Sequence, residues 1–216
     1  MSRYHVPIDN FVLRPYPAGS ITQFYGENLA LYAHVCNDIG MCLKGHGGLD
    51  IVDAWGVPIY AVSDQKVVEV KEDPGGYGRH VRCLDEKFEW TYAHMSSIAC
   101  KKLQELKAGD LIGKLGNSGF VVSGATPFWK YNPYKGSHLH LQAREYSSKG
   151  PDYITYTSGV TAHIKNYKNG FFGAIDIAPL FEETDEEIKM RLLLTTRSLA
   201  NNAVDLLRKL IARKQK

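Results

Sequence analysis

The chain has 216 residues, a formal net charge of +3, 44% hydrophobic and 23% charged side chains. That length suits one sizeable core with an appended element. The small charge gives no ground for nucleic-acid binding, which calls for a concentrated basic face. No stretch approaches the roughly eighteen apolar residues of a membrane-spanning helix, so no integral membrane segment is expected.

Residues 1–20, MSRYHVPIDNFVLRPYPAGS, read as an N-terminal extension. Pro7, Asp9, Asn10 and Arg14 interrupt every short apolar run, so no cleaved signal peptide is expected there. A target outside the cytoplasm would then imply release by lysis, a phage particle or a non-standard route.

From about Ile21 onwards, β-branched and aromatic runs are broken by glycine and proline turns, as in GLDIVDA, PIYAVSDQKVVEVKE, HVRCLDEKFEWTYAHM, DLIGKLGNSG and SHLHLQAREY. This pattern predicts a mainly β fold: a small antiparallel sheet or sandwich over residues 21–181. Alternation in KVVEVKE predicts a half-buried strand, and PGGYG after it a turn. Residues 124–136, GATPFWKYNPYKG, read as a loop. Its aromatic residues Phe128, Trp129, Tyr131 and Tyr134 either pack beneath the loop or line a binding surface. Cys36, Cys42, Cys83 and Cys100 lack CxxC spacing, and are read chiefly as buried or free thiols, with a local Cys36–Cys42 bridge as the alternative.

Residues 182–216 contain no glycine or proline, and Thr184 with Glu187 has capping-box spacing, which predicts a long C-terminal α-helix. Ile188, Leu192, Thr195, Leu199, Ala203, Leu206 and Leu210 form an apolar stripe. It would dock on the rest of the chain, self-associate, or attach to another assembly or a membrane surface.

Four of the eight histidines fall in three short motifs: GHGGLDI with His46 and Asp50, TYAHM with His94, and SHLHLQ with His138 and His140. In a strand of period two, His138 and His140 share one face while Leu139 and Leu141 fill the other. An extended chain would hold His46 and Asp50 about 13 Å apart. Both can reach one ion only if the chain folds back, and the backbone freedom of Gly47 and Gly48 is expected to permit this. Two imidazoles and a carboxylate leave a fourth zinc position open for water, as catalytic sites do. The residues alone leave open which of His138 and His140 binds metal.

These motifs resemble those of the lysostaphin/LytM family of zinc metallopeptidases, whose signatures are HxxxD, YAH and HxH in a small β domain. The flanking segments ITQFYGEN, GYGRHVRC, AGDLIGKLGNSG and NGFFGAIDIAPLF are similar too, so the resemblance covers about Ile21 to Phe181. It implies Zn2+ ligands at His46, Asp50 and His140, with His94 and His138 in the catalytic positions. It implies hydrolysis of peptidoglycan peptides at the bacterial cell wall, with zinc-activated water as the nucleophile; the lack of an expected signal peptide suits a phage-encoded lysin or virion enzyme. The competing expectation is a phage structural or wall-binding component that keeps the fold with little activity.

Overall fold

The computed structural model describes residues 21–181, apart from 124, 125, 131 and 133. The extension over 1–20 and the helix expected over 182–216 lie outside the described residues. No described helix is long and apolar enough to cross a membrane.

The strands are β1 (Ile21–Gln23), β2 (Leu49–Val52), β3 (Pro58–Tyr60), β4 (Gln65–Asp73), β5 (Gly78–Leu84), β6 (Phe88–Met95), β7 (Ser97–Ile98), β8 (Glu105–Leu106) and β9 (Leu111–Lys114). After them come β10 (Val122–Ser123), β11 (Thr126–Pro127), β12 (His138–Ser147), β13 (Tyr153–Thr155), β14 (Thr161–Ile164) and β15 (Ala174–Ile175). A single helical turn, α1, spans Leu29–Tyr32. The described chain is mainly β and antiparallel, as the sequence predicts. The main sheet runs β1-β2-β12-β6-β5-β4-β8, and β12 carries β14 and β15 along its far half. A smaller sheet, β3-β9-β7, stands apart.

The long strands β6 and β12 fix the architecture. On β12, Leu139, Leu141 and Ala143 join Trp90 and Tyr92 of β6 and Leu49 and Ile51 of β2 in the main core. Ile59 of β3 and Ile112 of β9 close that core from the small sheet. Because side chains alternate along a strand, His138, His140, Gln142 and Arg144 occupy the opposite face of β12. Register pairs set Asp50 beside His140 on one side and Thr91 and Glu89 beside Gln142 and Arg144 on the other. The sheet therefore has one apolar face and one face of buried polar groups, with the candidate site at one end of the latter.

The cysteines depart from the favoured expectation. Cys36 and Cys42 form a disulfide, while Cys83 and Cys100 are free and buried in the main core. A tight turn explains the bridge: Asn37 Oδ1 accepts from Ile39 N and Met41 N, and Leu43 N donates to Val35 O. These bonds set positions 36 and 42 opposite each other. Burial pushes the Cys100 thiol up to about 11 and that of Cys83 well above its ordinary value, so both stay protonated.

Candidate metal centre

Asp50 and His140 arrive on adjacent strands at paired positions. His46 arrives on the segment leading into β2, pinned to the 24–27 turn: His46 N donates to Glu27 O and Gly26 N to His46 O, both at 2.8 Å. The glycines around it act differently from the sequence expectation. Neither Gly47 nor Gly48 takes a positive φ; that conformation belongs to Gly45, at φ 147°. What Gly48 supplies is room, since a Cβ there would lie 2.3 Å from the Leu141 carbonyl oxygen. A Cβ on Gly47 would meet Gln142 Oε1 at 3.0 Å. The paired glycines let β2 approach β12 closely enough to bring the two motifs together.

The side chains converge tightly. His46 Nε2 lies 2.8 Å from His140 Nδ1 and 3.0 Å from Asp50 Oδ1, and His140 Nδ1 lies 3.0 Å from the same oxygen. The outer ring nitrogens face acceptors: His46 Nδ1 is 3.3 Å from Phe24 O, and His140 Nε2 is 3.3 Å from Gln142 Oε1. A neutral imidazole carries one proton. Placed on the outer nitrogens, those protons serve the two oxygens, and the inner atoms present three lone pairs to one point. Burial would raise the Asp50 carboxyl, but its contacts with His140 and His46 and the nearby His138 hold it well below its ordinary range. In that arrangement a metal ion between the three acceptors would satisfy them all. Donors about 2 Å from a tetrahedral zinc lie roughly 3.3 Å from each other, so modest relaxation seats the ion.

The other two histidines flank this cluster. His138 lies on the same face as His140, with Nδ1 2.8 Å from Gly136 O and Nε2 3.7 Å from Asp50 Oδ2. His94 lies across from it, the two ring centroids 4.8 Å apart, and its Nδ1 sits 2.8 Å from Ser118 O. The backbone at His94 takes φ 63°, uncommon for a non-glycine residue. This break in β6 turns the imidazole away from strict alternation and into the site. Burial, reinforced by His138 and His140, holds its pKa well below the ordinary value. That shift favours the neutral imidazole, and a proton on Nδ1 directed at Ser118 O would leave the Nε2 lone pair available.

Sequence reasoning missed the groups that orient the ligands. Gln142 accepts from Tyr77 OH at 2.9 Å as well as facing His140, and its position two beyond His140 on one strand face was the signal available. Nothing in the sequence marked the Phe24 and Ser118 carbonyls. From the cluster a cleft of about 510 Å³ leads outwards between the Val52–Trp55 segment and a wall that includes Val121, Phe128 and Tyr134.

The model of peptidase family M23 matches residues 44–151, half of the chain, including all three histidine motifs. The chain belongs to this metallopeptidase family. Over 101 residues, 46% of this chain and 18% of the relative, it is 32% identical to an uncharacterized metalloprotease of Haemophilus influenzae. It is 28% identical over 97 residues, 45% of this chain and 20% of the relative, to the peptidoglycan DD-endopeptidase ShyB of Vibrio cholerae. The chain thus spans about a fifth of the length of these curated relatives. Among solved structures, the antimicrobial peptidase lysostaphin of Staphylococcus simulans matches with a TM-score of 0.51 and 18% identity, covering 86% of this chain and 57% of that one. That likeness is one of fold.

Proposed function

We propose that this M23 chain is a zinc-dependent endopeptidase hydrolysing cross-link or stem peptides of bacterial peptidoglycan. The observation that carries the reading is the convergence of His46 Nε2, Asp50 Oδ1 and His140 Nδ1 within 3.0 Å of one another, beside two further imidazoles. His46, Asp50 and His140 would hold the ion. When bound, zinc supplies a Lewis acid that eases deprotonation of water and polarises the scissile carbonyl.

The chain's own residues supply the proton chemistry. His94, its Nδ1 proton directed to the Ser118 carbonyl, has Nε2 free to accept a proton from the attacking water. As the C–N bond breaks, that proton passes from His94 to the departing amine. His138, its Nδ1 steered by the Gly136 carbonyl, faces the site, where its ring would stabilise the oxygen on which charge develops. The preference for peptidoglycan draws on the activity named for the Vibrio cholerae relative.

Digestion of purified peptidoglycans with different cross-links, followed by mass analysis, tests the proposal. The expected result is peptide fragments that disappear after chelation and return on adding zinc. Intact peptidoglycan in every case, or cleavage by metal-free protein, would contradict it.

A further inference from the structure

The cleft that begins at Asp50 and His138 ends in two exposed aromatic rings. Trp55 is 45% exposed and Tyr134 65% exposed, and they meet edge to face with centroids 5.3 Å apart. Trp55 lies three residues beyond β2, and Tyr134 in the loop before β12, so the pair joins opposite walls. Two adjoining exposed rings at the mouth of a cleft make an apolar patch that a ligand entering the cleft can cover.

Away from the metal cluster, the carboxylate among the described lining residues is that of Asp53; Asp50 and His138 lie at the cluster end. Asp50 belongs to the metal cluster. Asp53 is exposed, its Oδ1 accepts from Ala54 N at 2.7 Å, and among the described residues it has no ion-pair partner. The Lys135 ammonium sits over the Phe128 ring at 5.0 Å.

We propose that Asp53, Trp55 and Tyr134 form a subsite for a primary ammonium group carried by the substrate peptide. A carboxylate gives the charge, and ring faces, tryptophan's above all, attract a cation through their quadrupole. Both rings of the edge-to-face pair line the cleft. A neutral side chain gains only apolar contact with Val52 and Val121, and an acidic one meets Asp53 as a like charge. The choice of a peptide as ligand rests on the hydrolase reading, whereas the affinity for ammonium does not need turnover.

The test uses the zinc-loaded full chain and two capped five-residue alanine peptides, one with a central lysine and one with Nε-acetyl-lysine in its place. Calorimetric or NMR titration should give about tenfold tighter binding of the lysine peptide. In D53N and in W55L that preference should fall to about twofold or less. These residues are exposed, so both variants should fold, and zinc content checks that they do. Equal binding of the two peptides, binding of neither, or an unchanged preference in both variants would overturn the subsite. The hydrolase reading fails separately: a protein that prefers the lysine peptide but cleaves no peptide would overturn that reading alone.

Discussion

His94 occupies a backbone conformation that strand residues avoid, and its surroundings account for that. With φ at 63°, its ring leaves the alternation of β6 and reaches His138, while Ser118 O fixes Nδ1. Such a departure costs on the order of 1–3 kcal/mol and persists where neighbouring structure enforces it. Because His94 is not among the three converging donors, His94→Ala should keep its zinc and lose roughly 10²–10⁴-fold in turnover. Metal analysis alongside kinetics checks this; loss of the metal would return His94 to the ligand set. The shared face of His138 and His140 was legible from period two alone. The backbone break at His94 was not, because the register shift in the β5–β6 hairpin leaves no mark on the alternation of side chains. The role of Gly47 and Gly48 was legible only as a need for glycine: the sequence suggested unusual dihedrals, and the cause is the nearness of β12.

At the scale of elements, β6 and β12 bind the apolar core through one face and a buried charge network through the other. Glu89, fully buried, pairs with Arg144 across the two strands, with Arg82 of β5 also near. Burial would raise the Glu89 carboxyl, but the guanidinium groups of Arg144 and Arg82 outweigh it and hold the pKa below the ordinary value. A depressed carboxyl contributes stability above its unfolded pKa and loses it as pH falls through its folded one. Glu89→Gln should therefore destabilise the protein at neutral pH by about 3–5 kcal/mol, since it leaves buried guanidinium charge uncompensated. In acid, below the ordinary carboxylate range, the gap between variant and parent should narrow. Urea midpoints across that range measure it, and identical midpoints at neutral pH would contradict the account. Strand existence and the apolar face were legible in alternation. The charged face was not, because Arg144 and Glu89 on a half-exposed strand would look the same.

At the scale of the molecule, the site is assembled from segments far apart in the chain, and family resemblance supplied what local patterns could not. The loop over 124–136 illustrates the limit: two readings were open for its aromatics, and Phe128 is buried yet still lines the cleft wall, while Tyr134 lines it exposed. Sequence cannot separate them without knowing which wall each ring faces. The choice between His138 and His140 likewise had no local basis. The geometry now separates them, with His140 Nδ1 3.0 Å from Asp50 Oδ1 and His138 Nε2 3.7 Å from Asp50 Oδ2. Only the former also meets His46, at 2.8 Å. The most direct measurement is the zinc content of purified full-length His140→Ala and His138→Ala proteins, each shown to be folded. The account predicts that His140→Ala loses its zinc while His138→Ala retains it near stoichiometrically; full zinc in His140→Ala would contradict it.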